Sequence, residues 1–561
     1  MSESNPGSIL VRHRILFLLL FGTLLLVPWL GMRDLWYPDE PDIAEVCQSM
    51  YVSGDWVAPR RMGVIWVDYP PMIYWAGTAS SHLLGGMSEF SLRLPNAVTA
   101  ICLVLLTCGV TSRWFDPRTG LWAGFVLLTS QQFVYEAINY RPDTLFSFMI
   151  AAGMFLYVRG IEEHRRWLLR ALAFVFFGLA MLAKGPLGLL LPGLVLTLWH
   201  GSRREWRRLF ELAPLALISC AVYLPWFVAC ARAMGADNIL YELYAQNFAR
   251  FFSGSRGHGQ PIYYDLVQIW VDLLPWGPLL PFAIWWTVRT GRHKQANTQL
   301  LLWWLGTFLV FLSLAVTKRQ LYMLPAYPAA AILFAPWIAR LTRRGSLAPD
   351  SPSSRPVRIY IPILVAILAI VAVAFLVVAV VFEPIVAQMD LNPMRMEAAR
   401  NERLPMFVTA LILLAGGYWL LQAWRRGDVR SMLVRLGIVQ FPLWLAVMIG
   451  IFPALDPAKT YKPASQWIRQ QIGSETHFGL VYPEFAMRKM GAFGYYTGAL
   501  VDRMENQDEV ETYLRDRPAS VVLIHETSTD EIFAGDDRKW QDRVVRELRT
   551  GRDLYFVVSG P

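Results

Sequence analysis

The sequence predicts a polytopic α-helical membrane protein of about thirteen spans, followed by a small α/β domain. Two observations carry that expectation. Hydrophobic residues make up 55% of the 561 and charged residues only 17%, below the roughly one quarter usual for a soluble domain. The apolar residues also fall into runs close to the ~20 residues that a helix needs to cross a bilayer. So apolar a chain buries surface readily, which excludes disorder. The five cysteines (Cys47, Cys102, Cys108, Cys220 and Cys230) are too few and too scattered for a disulfide framework or a zinc knuckle, and four of them lie in apolar runs, where Cys acts as a small hydrophobe.

Taken in order, the candidate spans are 11–31, 92–112, 120–138, 143–159, 167–183, 186–200, 210–232, 266–288, 299–316, 320–339, 359–382, 405–424 and 433–452. The first is expected to be a permanent anchor rather than a cleaved leader, because the segment after Leu26 is a poor small-residue cleavage site. Lys184-Gly185-Pro186 is a polar break that divides 167–200 into two spans. Orientation follows from basic residues in short loops. Arg12/Arg14, Arg113/Arg118, Arg165/Arg166, Arg203/Arg204/Arg207/Arg208, Arg289/Arg292/Lys294, Arg340/Arg343/Arg344 and Arg425/Arg426/Arg430 all fall on one side when thirteen spans are threaded. That side, and the N-terminus with it, is expected to be cytoplasmic. The net charge of +9 is therefore a topology signal, and nucleic acid is not an expected partner. Ser346 to Arg358 reads as a cytoplasmic connector.

The opposite face carries longer loops, chiefly 32–91, 233–265 and 383–404. Residues 1–452 are expected to form the membrane domain and 453–561 a separate domain on this outer face. The tail has a helix-like stretch, Pro463 to Ile472, and β-rich runs at His477–Tyr482, Ser520–His525 and Leu554–Ser559. No GxGxxG, P-loop or HExxH accompanies it, and its favoured reading is a structural or acceptor-positioning cap.

Five sites on the outer face carry residues able to do chemistry. Asp39-Glu40 lies between aromatics and prolines just beyond the first span, where carboxylates are costly to desolvate without a task or a partner; the plain alternative is a pair of helix-capping acids. Asp143 starts the fourth span, as a cap or an active acid, and Arg141 beside it can pair with a carboxylate or a phosphate. Lys184 sits at a helix break, as a snorkelling lysine or a cation held for an anionic headgroup. Lys318-Arg319 breaks the positive-inside pattern, which a phosphate ligand explains, and Tyr322 follows one turn later. Arg256 and His258 occupy a glycine-rich loop, where a lone His is more often a surface residue than a ligand. Acids and cations gathered on one face suit transfer of a group from a phosphate-activated lipid: a carboxylate serves as base and cations seat the phosphate. A nucleoside triphosphate is not expected, since it is not available outside the cytoplasmic membrane and no P-loop is present.

The order of short motifs resembles that of bacterial GT-C glycosyltransferases, particularly the aminoarabinose lipid A transferases and relatives of the protein O-mannosyltransferases. The motifs are Pro38-Asp39-Glu40 with Ala44-Glu45, Ser53-Gly54-Asp55-Trp56, Tyr69-Pro70-Pro71-Met72-Ile73-Tyr74-Trp75, Ser91-Leu92-Arg93-Leu94-Pro95, Arg141-Pro142-Asp143, Leu182-Ala183-Lys184-Gly185-Pro186, and Lys318-Arg319 with Tyr322, Leu324-Pro325 and Tyr327-Pro328. They cover about 30–335. The resemblance implies a bacterial inner-membrane enzyme with a periplasmic site that takes a sugar from a polyprenyl-phosphate donor, with inversion, and passes it to a lipid, glycan or protein. It makes Asp39 the base or acceptor-orienting acid, gives Asp143 and Glu40 supporting places, and puts Lys184, Lys318 and Arg319 near the donor phosphate. No cofactor is obligatory. A divalent ion bridging Asp39 and the phosphate stays an open alternative, with His258 the other candidate ligand. Two departures point to a sibling with another sugar or acceptor: Tyr69 stands where many relatives have Lys, and Pro41-Asp42-Ile43 stands where the aminoarabinose enzymes have Thr-Arg-Tyr. A lipid or sugar transporter or flippase is the alternative class, and a membrane scaffold a third; no internal repeat of the kind common in transporters is evident.

Overall fold

The computed structural model describes residues 6–163, 166–252, 259–343, 351–386, 393–481, 489–529, 543–550 and 553–559. Among them, nine helices are long and apolar enough to cross a membrane. These match nine of the thirteen expected spans, and the other four differ for local reasons. The first and sixth are short apolar helices, Arg14–Leu26 and Leu187–Ser202. The third divides into Pro117–Leu128 and Gln131–Ala137. There Thr129 and Ser130 donate their hydroxyls to the Phe125 and Val126 carbonyls, at 2.6 and 2.7 Å, a local bond that competes with helix continuation. The eighth is a bent pair, Tyr264–Asp272 and Gly277–Arg289, at 114°. Pro275 lies in its break, and Gly277 packs so tightly that a Cβ would sit 2.1 Å from the Trp270 carbonyl; an apolar scan does not register either feature.

The Lys184-Gly185-Pro186 break is where the sequence places it. Gly185 takes φ +75°, a left-handed value that glycine adopts without a Cβ clash. Its N–H bonds back to Met181 O at 2.7 Å, ending the helix Arg166–Lys184 with the lysine on its last turn.

Contacts define two opposite ends. At one, the basic loops meet: Arg14 bonds Ser112 at 2.9 Å, Arg113 pairs with Glu163 at 3.0 Å, and Arg343 lies 3.7 Å from Asp116. At the other lie the helix Asp39–Ser53, a two-stranded hairpin, β1 (Arg60–Arg61) and β2 (Val64–Ile65), and the C-terminal α/β unit. That unit follows the last membrane helix, which extends to Lys459. Its sheet has strands β3 (His477–Val481), β4 (Leu500–Met504), β5 (Val521–His525), β6 (Val544–Thr550) and β7 (Asp553–Ser559), in the order β4-β3-β5-β7-β6. β3 runs parallel to β4 and β5, while β7 is antiparallel to β5 and β6. Helices Lys462–Ile472, Lys489–Thr497 and Gln507–Asp516 complete it; the Asn506 side chain caps the last, accepting from Glu509 N at 3.0 Å.

This unit docks on the outer loops. Lys462 bridges Asp34 and Glu89 at 2.9 and 2.8 Å, Trp36 donates to Asp456 at 2.7 Å, and Leu35 N donates to the Tyr496 hydroxyl at 2.8 Å. Gly491 and Gly494 let Lys489–Thr497 lie directly on the helix Asp39–Ser53. A Cβ on Gly491 would sit 2.3 Å from Asp42 Oδ1, and one on Gly494 3.2 Å from Glu45 Cγ.

Candidate active site

Asp39 is the first residue of the helix Asp39–Ser53, whose first turn also carries Glu40 and Asp42. Carboxylates are favoured at this end of a helix dipole. The Asp39 carboxylate accepts from Arg319 at 2.5 and 3.4 Å and pairs with Arg141 at 2.8 Å. Burial works against the charge on both guanidiniums, but Asp39 (with Glu136 for Arg141) more than offsets it and holds their pKa values above the ordinary arginine value. Arg141 is fixed from behind by Glu136 at 3.2 Å, which accepts from Gln132 at 3.0 Å. Asn96 clamps the same loop, donating to the Asn139 and Arg141 carbonyls at 2.6 and 2.7 Å.

Two residues after Arg141, the buried Asp143 opens the helix Asp143–Glu162 and forms an ion pair with the half-buried Lys184. The Lys184 ammonium also stands 4.5 Å from the centre of the Tyr322 ring, within cation–π range. Asp39, Arg141 and Arg319 thus form one group and Asp143, Lys184 and Tyr322 a second, drawn together from four separate stretches and joined through the chain at 141–143 and at 319–322, where Tyr322 N donates to Arg319 O at 3.0 Å.

The cluster borders a cavity with about 1070 Å³ of space between atoms, part of it open to solvent. Lys184, Tyr322, Thr317 and the Asp68-Tyr69 pair contribute its polar wall, and Phe146, Tyr223, Trp226, Phe227 and Phe311 much of the rest. Asp68 and Tyr69 also line a smaller pocket that includes Asp39 and Asp42. They therefore sit where the Lys184 cavity and the Asp39 pocket adjoin. A cavity lined by aromatic and aliphatic side chains with a lysine in its wall can hold an apolar chain with an anionic head.

The remaining sequence candidates have other positions. Glu40 is buried; it pairs with Arg33 at 2.7 Å and Arg93 at 2.8 Å, and accepts from Trp36 N at 3.1 Å and Tyr140 N at 2.9 Å. Burial opposes its charge, but Arg33 and Arg93 hold the carboxyl well below the usual range. With its oxygens occupied in this way, Glu40 is a structural anchor under Asp39 rather than a second acid facing the cavity. Lys318 also turns away, donating to the Ala315 carbonyl and to Gln260 O at 3.3 Å. It ties the 259–260 segment to the 315–317 segment, which Gly259 and Thr317 also join by an isolated bridge, instead of facing Asp39. Arg256 and His258 lie outside the described residues.

Sequence reasoning passed over Glu136, Asp68, Tyr69, Arg33 and Arg93. Glu136 had a signal, an acid inside an apolar run. Arg93 and Tyr69 stood inside quoted motifs, but partners 53 residues apart in the chain, such as Arg93 and Glu40, are not visible from spacing.

Residues 68–229 match the family described as dolichyl-phosphate-mannose-protein mannosyltransferase. Among curated proteins, the chain is 32% identical over 330 residues to an undecaprenyl phosphate-alpha-4-amino-4-deoxy-L-arabinose arabinosyl transferase of Edwardsiella ictaluri, covering 58% of this chain and 59% of that one. It is 31% identical over 346 residues to the enzyme of the same name from Pseudomonas aeruginosa, covering 59% and 60%. The chain thus aligns with about three fifths of the length of these relatives. Its fold is that of ArnT from Cupriavidus metallidurans, solved with undecaprenyl phosphate bound, at a TM-score of 0.76 and 20% identity over the whole of both chains. The archaeal oligosaccharyltransferase AglB from Archaeoglobus fulgidus is more distant, at a TM-score of 0.51 and 12% identity, covering 98% of this chain and 74% of that one. The chain is a multi-pass membrane protein with the fold of ArnT, and its likeness to glycosyltransferases is the one its motifs implied.

Proposed function

We propose that the chain is a glycosyltransferase of the bacterial inner membrane that moves a sugar from a polyprenyl-phosphate donor to an acceptor hydroxyl at the periplasmic face. The observation that carries this reading is the junction, at Asp68 and Tyr69, of an aromatic cavity whose wall includes Lys184 with a pocket whose wall includes Asp39. The names of the curated relatives and the fold shared with an undecaprenyl-phosphate-bound transferase support it. The basic end then faces the cytoplasm and the C-terminal unit the periplasm.

In this reading, the polyprenyl chain lies in the aromatic cavity and its phosphate sits against Lys184. The acceptor hydroxyl attacks the anomeric carbon from the side opposite the phosphate. The new C–O bond forms as the bond to the phosphate oxygen breaks; the phosphate leaves with the electron pair, and the hydroxyl proton passes to Asp39. Lys184 and Arg319 stabilise the charge growing on the leaving phosphate. A carboxylate clamped by two arginines is a weak base. Arrival of a phosphate competes for Arg319, the more exposed of the two, and frees Asp39 to take the proton. Cations already neutralise the phosphate, so no divalent ion is needed, and dialysis against a chelator is expected to leave the rate unchanged. Chelator inhibition reversed by added metal would replace this mechanism with one in which the ion bridges Asp39 and the phosphate.

The test is sugar transfer in membranes carrying Asp39→Asn or Lys184→Ala. Both are expected to insert normally and to lose transfer by at least about a hundredfold. Transfer retained by Asp39→Asn removes the proposed base. Ion-driven uptake of the lipid-linked sugar into proteoliposomes, without transfer, would place the chain among transporters. Lipid-linked sugars that accumulate in a deletion strain, identified by mass spectrometry, name the donor.

A further inference from the structure

Glu136, near the end of the helix Gln131–Ala137, is fully buried and lines neither the Lys184 cavity nor the Asp39 pocket. Its Oε1 accepts from the Gln132 side chain at 3.0 Å and from Arg141 Nη1 at 3.2 Å, while Oε2 is buried without a hydrogen-bond partner among the described residues. Arg141 turns its other terminal nitrogen, Nη2, to Asp39 at 2.8 Å, and Arg319 reaches the same Asp39 oxygen at 2.5 Å. Glu136, Arg141, Asp39 and Arg319 therefore form a row of alternating charges. Glu136 adds to the placement of Arg141, but that placement has other supports. Asn96 holds the loop by the Asn139 and Arg141 carbonyls, at 2.6 and 2.7 Å, and Asp39 holds the guanidinium itself.

A glutamine at 136 would accept both hydrogen bonds in the same space, at a smaller desolvation cost than a carboxylate with one oxygen left unbonded. What glutamine lacks is the charge. An arginine placed between two carboxylates bears less strongly on either than it would on one alone. Once the donor phosphate takes Arg319, Arg141 remains on Asp39, and a fully uncompensated guanidinium there would hold the carboxylate too firmly for it to accept a proton. We propose that Glu136 is a positioning residue for the transfer step: its negative charge against Arg141 leaves Asp39 able to take the acceptor proton. The role rests on Asp39 as the base. It acts through Arg141, and Glu136 itself touches neither the donor nor the acceptor.

The test compares the full-length wild type with Glu136→Gln, Glu136→Asp and Asp39→Asn in proteoliposomes. Isotopically labelled lipid-linked sugar purified from a deletion strain is the varied donor, and one batch of unlabelled envelopes from that strain supplies the acceptor to every variant. Glu136→Gln is expected to lower kcat about tenfold with the donor KM within about twofold of the wild type. Glu136→Asp keeps the charge and is expected to hold kcat within about threefold of the wild type. A space-filling role predicts the reverse order, since glutamine keeps the shape and aspartate shortens it. That order, an equal loss in both variants, or a raised donor KM at unchanged kcat in Glu136→Gln overturns the proposal. Glu136→Gln at the wild-type rate, with Asp39→Asn inactive, overturns the proposal alone. A wild type without transfer, or Asp39→Asn with it, overturns the reading beneath the proposal and the proposal with it. If Glu136→Gln does not fold, Glu136→Asp decides: kcat within about threefold upholds the role of the charge, and a larger loss overturns it.

Discussion

Replacing Glu40 with glutamine leaves Arg33 and Arg93, which are 5% and 0% exposed, without the carboxylate that both contact. The expected cost is about 3–5 kcal/mol, read as a large fall in thermal midpoint in detergent. Asp39→Asn removes a partner from arginines nearer the cavity, so it is expected to change the midpoint little while transfer is lost. If Glu40→Gln kept its stability and lost only transfer, Glu40 would belong with the reacting groups after all. The two acids are adjacent in sequence, and composition treats them alike. What separates them is the helix: successive residues point about 100° apart, so one faces the cavity rim and the other the Arg93 side. The sequence could mark the pair as unusual and could pick out Arg141, Asp143, Lys184 and Arg319. It could not say which neighbour faces inward, because that depends on Arg33, Arg93 and the Tyr140 amide arriving from elsewhere.

The helix break at 184–186 makes a prediction about one element. Gly185 sits at φ +75°, and Gly185→Val forces a β-branched residue into the left-handed region, at a cost of about 1–2 kcal/mol. The last turn of Arg166–Lys184 is expected to shift with it and carry Lys184 off the cavity wall. The expected kinetic signature is a raised donor KM with the protein still inserted; unchanged kinetics would mean that Lys184 is placed by Asp143 alone. This break was legible because Lys-Gly-Pro interrupts an apolar run with a charge and with two residues that disfavour helix. The bent pair at 264–289 was not, since its apolar residues continue through the bend and its cause is a close approach of Gly277 to Trp270. In the C-terminal unit, β5 and β7 were legible as apolar runs. β4 and β6 were not: Leu-Val-Asp-Arg-Met and Val-Val-Arg-Glu-Leu-Arg-Thr each carry charged residues at successive positions, which breaks the alternation of a strand, and only pairing with β3 and β7 makes them strands.

The docking of the C-terminal unit on the membrane domain rests partly on one carboxyl group. Glu45 is buried between the helix that begins with Asp39, the β1–β2 hairpin and Gly494 of the C-terminal unit. Its Oε1 accepts from Met62 N at 2.9 Å, while Oε2 is buried without a partner among the described residues. Burial pushes its pKa from 4.5 up to about 7, although the Met62 amide and Arg61 pull the other way. The neutral form therefore suits the docked state and the charged form suits an open one. The contribution is complete below about pH 4.5, declines as the pH rises, and is lost as the pH passes through about 7. By linkage its upper size is about 3 kcal/mol. The protection factors for amide hydrogen exchange in Lys489–Thr497, taken relative to the intrinsic rate at each pH, are expected to be higher at pH 5.5 than at pH 8.5, and Glu45→Gln, neutral at every pH, is expected to flatten that difference. Because the same helix starts at Asp39, a loosened interface should also lower transfer above pH 7 in the wild type more than in Glu45→Gln. Equal protection at both pH values in the wild type would mean that Lys462, Trp36 and the glycine contacts hold the unit without help from Glu45. The C-terminal unit then grips the helix that carries Asp39 as part of the site's scaffold, a role invisible in a sequence where Glu45 and Gly494 are 449 positions apart.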